Sequence, residues 1–146
     1  MAAATLQELL DRIAIRELTA RYNNAIDNGD VEGFVNCFVP EGIFYTTADV
    51  QLKGREQIKS VGTVLGFGCI HMTMDAIVTV DGDKAQQHCT MLVAKRRKDK
   101  QEISIVTTGR YDDHLVRTPE GWLFESRKGD CDVELTLVVE RLGRLT

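Results

Sequence analysis

Apolar residues recur at Leu6, Leu9, Leu10, Ile13, Leu18, Tyr22, Ala25 and Ile26. That spacing predicts a helix over residues 6–26. Thr5 and Glu8 stand three apart at its start, the form of a capping box. The run Asp27-Asn28-Gly29-Asp30 breaks it, with Gly29 suited to a left-handed cap. Val31, Phe34, Val35 and Phe38 share one face of a second, short helix that Asp30 can cap. Pro40-Glu41-Gly42 is expected to end that element. Residues 43–47 (IFYTT) read as a strand of good β-formers, and VQLKG as a short strand. Ile58, Val61 and Leu65 give a third helix over residues 55–65, weakened by its glycines.

Beyond Gly68 the pattern turns from helical spacing to alternation. CIHMTMDAIVTV and KAQQHCTMLVAK are strands joined by an Asp-Gly-Asp hairpin turn. RRKDKQ is the next turn, EISIVTTGRYDDHLV a long strand, RTPEG a turn and WLFESRKGD the last clear strand. Residues 132–146 are apolar enough to be a further strand or a packing tail. Helices segregated from a meander of antiparallel strands define an α+β fold. A strongly bent sheet wrapped on a helix encloses a cone able to hold a small ligand. The length of 146 residues suits one domain, 1–146, with no repeat or linker in the pattern.

Composition narrows the function. The chain is 43% hydrophobic and 27% charged, which supports both a core and a soluble surface. A net charge of −4 argues against a nucleic-acid partner, and the Lys95–Lys98 cluster reads as a solvated hairpin end. No apolar run is long enough to span a bilayer, and the N-terminus lacks the pattern of a signal peptide. A cytoplasmic protein without a membrane partner is expected. The four cysteines lie far apart, with no paired spacing and no neighbouring histidine ligand, so buried reduced thiols are expected and a zinc site is not. There is no glycine-rich nucleotide motif, and no cofactor is implied.

Asp27 is the first candidate for chemistry. It ends a helix, where the dipole disfavours a carboxylate by a few tenths to about 1 kcal/mol. As a plain turn residue it would bond its own backbone near Asn28-Gly29. Tyr22, about one and a half turns earlier, is within reach of the same helix end. His71 alternates on one strand face with Cys69, Thr73, Asp75 and Ile77, a mixed face suited to a pocket. Alone it reads as a structural histidine. It becomes a base only if Asp27 fixes its tautomer and steadies the imidazolium.

The segments IAIRELTARYNNAIDNGDVEGFVNCFVPEGIF, GREQI, IHMTM and GRYDDHLVRTPEGWLFESR resemble the SnoaL-like branch of the nuclear transport factor 2-like superfamily. The resemblance implies a cone-shaped α+β barrel with a curved antiparallel sheet around helix 1 and an enclosed apolar pocket. In layout the chain is similar to a group containing scytalone dehydratase, bile acid 7α-dehydratases and a hexachlorocyclohexane dehydrochlorinase. That likeness implies an Asp27–His71 dyad, with Tyr22 as a pocket tyrosine that polarises a carbonyl or a leaving oxygen. The implied activity is a cofactor-independent lyase or isomerase acting on a small apolar, oxygenated or halogenated molecule. Polyketide cyclisation and a non-catalytic binding or assembly role are the alternatives on the same fold.

Tyr45, Arg110 and Arg127 are candidate substrate-binding residues, although either arginine reads equally as a surface ion-pair member. His88 and His114 have no evident partner, with His114 expected to be exposed, and Trp122 and Phe124 read as core. Apolar residues on both faces of several strands, together with the family likeness, imply a homo-oligomer, a trimer slightly ahead of a dimer.

Overall fold

The computed structural model describes residues 4–65 and 68–143. The chain runs α1 (Leu6–Asn28), α2 (Val31–Val35), β1 (Phe38–Tyr45), β2 (Gln51–Lys53), α3 (Gly54–Leu65), β3 (Cys69–Asp81), β4 (Lys84–Arg97), β5 (Glu102–Thr118), β6 (Gly121–Cys131) and α4 (Leu135–Arg141). The strands form one curved sheet in the order β2-β1-β6-β5-β4-β3, with α1 packed against β3 and β6. Every pairing is antiparallel except β1 with β6, which is parallel. The fold is α+β as expected. Its sheet, however, is mixed and not closed, because β6 returns beside β1 in the same direction after the meander.

The capping box at Thr5 and Glu8 forms, and Gly29 ends α1 at φ 73°. Asp30 then caps α2 by accepting from the Gly33 N–H at 2.9 Å. Pro40-Glu41-Gly42 does not end an element. It lies inside β1, in an irregularity of the β1–β6 register between Phe38 and Ile43, where a residue without an N–H is tolerated. Of the segment read as a further strand or a packing tail, Leu135–Arg141 form helix α4, and residues 144–146 lie outside the described residues. The segment's apolar content left a strand open, but Leu135, Val138, Val139 and Leu142 follow helical spacing and face inward together. Arg141 Nη1 donates to the Val106 carbonyl at 2.8 Å, and Lys95 Nζ donates to the Leu142 carbonyl, so polar bonds tie α4 to the sheet.

The face of α1 that enters the core differs from the stripe expected at its start. Leu6, Leu9, Leu10 and Ile13 are exposed, and the buried residues include Asp11, Ile15, Leu18, Thr19, Tyr22 and Asn23. Asp11 explains the rotation. It takes two hydrogen bonds from Arg117, both at 2.8 Å, and one from the Trp122 indole at 3.0 Å. These polar partners lie on the strands, so the helix turns its acidic residue inward.

The centre of the core is a cation among rings. Arg127 is fully buried, with its guanidinium carbon 4.3 Å from the Tyr22 ring centroid, 4.0 Å from Tyr111 and 4.2 Å from Phe124. It donates to both oxygens of buried Asp113, at 2.7 and 2.8 Å. Burial works against the cation, and the Asp113 carboxylate more than restores it, so Arg127 stays protonated. Gln87 extends this group by donating to Asp113 at 2.9 Å and to Thr19 of α1 at 2.7 Å.

Two stability predictions follow from these pairs. Asp113→Ala leaves a buried unpaired cation and should cost about 3–5 kcal/mol in urea unfolding, most of it regained when Arg127→Met is added. Asp11 is held at about 2, below its ordinary 3.8, chiefly by the Arg117 hydrogen bonds, against the opposing effect of burial. A depressed carboxyl stabilises the fold above its unfolded pKa and stops doing so as pH falls through the folded one. Asp11→Asn should therefore lower the melting temperature at neutral pH and flatten the acid limb between pH 3.8 and about 2.

Candidate functional site

Asp27 occupies the last turn of α1, and His71 lies near the start of β3, in register with Val93 of β4. Asp27 Oδ1 lies 2.6 Å from His71 Nδ1. Its Oδ2 accepts the His71 backbone N–H at 2.8 Å. One carboxylate thus holds both the ring and the main chain of the same residue. A carboxylate only accepts, so Nδ1 carries the proton and Nε2 is left as the basic nitrogen. The pair is well sheltered, with side-chain exposures of 3% for His71 and 14% for Asp27.

His71 forms part of two different walls. On one side is an apolar cavity of about 200 Å³ between the sheet, α3 and α4. Phe44, Val61, Val93, Tyr111 and Val138 are among its lining residues. No Asp, Glu, Lys or Arg is among the described residues that line it. On the other side is a polar groove between α1 and β3, whose walls include Asp27 and Asn23. Across this groove Arg16 Nη2 donates to the Ala76 carbonyl at 2.8 Å, and Asn23 Nδ2 donates to Thr73 Oγ1 at 3.1 Å. With Asp27–His71 they form a polar seam along one stripe of α1.

The alternation expected for β3 holds only as far as Thr73. Asp75 has φ 55°, and the β3–β4 register shifts between Met74 and Ile77. This bulge exchanges the faces, so Asp75 and Ile77 are exposed while Val78 is buried. His71 keeps its inward position because it precedes the bulge.

The remaining candidates lie elsewhere. Tyr22 is 1% exposed and packs in the core, its ring 4.9 Å from Phe34 and 6.1 Å from Tyr111. Burial pushes its phenol up to about 12, with the nearby Arg127 cation opposing the rise. It does not line the cavity, and the phenol ring in the wall belongs to Tyr111. Arg127 is spent on Asp113 within the core. Arg110 lies on the outer sheet face, half exposed and 3.8 Å from Asp130. Tyr45 follows Phe44 on β1 and points to the opposite face, in register with Lys128. The binding roles expected for Tyr45, Arg110 and Arg127 therefore lack a place in this cavity. His88 does have a partner, Asp112 at 2.5 Å on the outer face, and His114 is exposed.

Sequence reasoning overlooked Tyr111 and Thr46 as lining residues. The signal for Tyr111 was its strand parity: Tyr111, Asp113 and Leu115 alternate inward, and Arg110, Asp112 and His114 outward. Cys131 also lines the cavity, and burial pushes its thiol up. Among the described residues no cluster of His, Cys, Asp and Glu could hold a metal ion, and no helix is long and apolar enough to cross a membrane.

An uncharacterized protein of Mycobacterium tuberculosis is 32% identical over 126 residues, covering 81% of this chain and 83% of its own. A nuclear transport factor 2-like protein of cystatin-like fold from Novosphingobium aromaticivorans superposes with a TM-score of 0.73 at 25% identity, covering 99% of each chain. A candidate scytalone dehydratase from the same organism superposes with a TM-score of 0.74 at 19% identity, covering 86% of each chain. That last likeness is one of fold. The profile of the SnoaL-like domain matches residues 7–128, and the chain belongs to that family.

Proposed function

We propose that this protein is a cofactor-independent lyase of the dehydratase or dehydrohalogenase type, with His71 as general base and Asp27 as its positioning partner. The observation that carries the reading is the double hold of Asp27 on His71, at 2.6 and 2.8 Å, in the wall of an apolar cavity. A buried imidazole is satisfied through its two ring nitrogens, and here the Asp27 carboxylate takes the backbone N–H as well as one of them. Fixing both the ring and the main chain serves a nitrogen that must be held in one orientation. The family membership and the fold likeness to a candidate scytalone dehydratase are consistent with this chemistry.

In the proposed reaction Nε2 takes a proton from carbon next to a carbonyl. The C–H electron pair becomes the new C=C bond, and the β-hydroxyl leaves with its own bonding pair. The imidazolium returns the proton to that oxygen, so water and an enone are the products and His71 is regenerated. Asp27 offsets the positive charge on the ring while it is protonated. A positioned base of this kind contributes about 10²–10⁴ in rate.

The test is turnover of β-hydroxy ketones and halogenated rings, followed by enone absorbance or halide release. His71→Ala should remove the activity, and Asp27→Asn should lower kcat by about 10²-fold or more while the fold persists by circular dichroism. Full turnover in both variants would overturn the assignment. Appearance of a new ring in the product instead of a double bond would point to cyclisation.

Self-association is the accompanying proposal. Met72, Met74, Ile77, Ile103 and Ile105 are exposed on outer strand positions, and Leu6, Leu9, Leu10 and Ile13 form an exposed stripe on α1. A second copy of the chain is the proposed cover for the sheet patch. Light scattering after gel filtration should give a dimer or trimer mass, and Ile105→Glu should shift it toward monomer. A monomeric wild type would rule this out.

A further inference from the structure

The cavity wall carries information about the molecule it holds. Five hydroxyl-bearing residues line it: Thr46, Thr47, Ser60, Thr107 and Tyr111. Thr47 Oγ1 accepts the Cys131 N–H at 2.7 Å and lies 3.3 Å from the Gly129 carbonyl. Ser60 donates to the Gln57 carbonyl at 2.8 Å, and Thr107 to the Thr108 carbonyl at 2.7 Å. The Tyr111 ring packs edge-on against Tyr22 at 6.1 Å between centroids. Thr46 Oγ1 differs from these, because it is buried and has no hydrogen-bond partner. A buried hydroxyl without a partner carries a desolvation penalty that a ligand oxygen would remove.

Size and charge restrict the ligand further. A dry cavity of about 150 Å³ holds benzene, and drug-sized ligands occupy about 300–1,000 Å³. The volume here, about 200 Å³, lies between them. It accommodates one six-membered ring with one or two short substituents, and it is too small for a fused four-ring skeleton. An ionised group would have no Asp, Glu, Lys or Arg opposite it among the described lining residues.

We infer that the cavity selects a neutral, single-ring molecule bearing at least one oxygen substituent, and that Thr46 is the specificity residue that hydrogen-bonds one such oxygen. The inference deepens the lyase reading by naming its substrate class, and it rests on that reading only for the role of His71. Thr46 touches the substrate oxygen without taking part in the proton transfer.

Binding and turnover separate the two claims. The full chain is titrated calorimetrically with cyclohex-2-enone, with benzoate as a charged ligand of similar size, and with a four-ring steroid ketone. Cyclohex-2-enone should bind saturably, and the other two should not. Thr46→Val keeps the shape and removes the hydroxyl, so it should weaken the enone about three- to tenfold, while Thr46→Ser restores it. Melting curves of the variants confirm that each is folded. In parallel, 3-hydroxycyclohexanone is assayed for elimination. Thr46-dependent binding without elimination would sink the lyase reading and leave this inference standing. Equal affinity of Thr46→Val and wild type, comparable binding of benzoate or the steroid, or no binding of the enone would overturn the inference, whatever the turnover.

Discussion

A carboxylate at the C-terminal end of a helix must be compensated, and in this protein one residue supplies both donors. The helix dipole disfavours Asp27 by up to about 1 kcal/mol. Two hydrogen bonds from His71, one from the ring and one from the main chain, offset that cost. The same bonds fix the end of α1 to β3, one of the two edge strands of the sheet. Arg16–Ala76 and Asn23–Thr73 continue the attachment along the helix. A helix laid on a sheet through apolar contacts alone can slide, whereas directional bonds set its register. The position of His71 is therefore a property of how the helix and sheet dock, and the candidate site and the fold share one interaction.

The aromatic core serves a complementary purpose. Arg127, Asp113 and Gln87 occupy the inner faces of β6, β5 and β4, and Gln87 reaches Thr19 on α1. This buried polar row fills the cone beneath Tyr22 and Phe124. Tyr111 stands at the boundary: one ring face meets Arg127, and the side chain also contributes to the cavity wall. The cone is thus divided into a filled end, closed by a neutralised cation, and an apolar end capped by α4. The division explains why the cavity is smaller than the interior suggested by a sheet of this length.

Much of the architecture was legible because local signals agreed with the global result. The capping box, Gly29 and the hairpin turns each specify one outcome, whereas Asp27 and His71 read locally as a turn residue and a structural histidine, and only the likeness to the SnoaL-like branch paired them. What could not be read depended on partners distant in sequence. Leu6, Leu9, Leu10 and Ile13 look like a core stripe, but Arg117 and Trp122 draw Asp11 inward and rotate the helix. The bulge at Asp75 changes strand parity without a glycine to announce it. Residues 132–146 were ambiguous because apolar content alone does not separate a strand from a helix. Arg127 and Tyr22 resemble site residues by type, and only packing reveals that Arg127 is paired with Asp113 and stacked on the Tyr22 ring.

His71 separates two environments of opposite character, and this arrangement bears on what a base there can do. The cavity side offers an apolar wall, where a charged imidazolium has little solvation. The groove side offers Asp27 and, beyond it, the amide of Asn23. A proton taken up at Nε2 places positive charge on a ring whose opposite nitrogen already faces a carboxylate, so the charge is stabilised from behind while the substrate side stays apolar. In the proposed elimination, the reverse arrangement, with Asp27 in the cavity, would put a fixed anion against the ligand and disfavour an enolate there. The location of Asp27 at a helix end outside the cavity, unfavourable when judged by the helix alone, is what keeps the two charges on opposite sides of the ring.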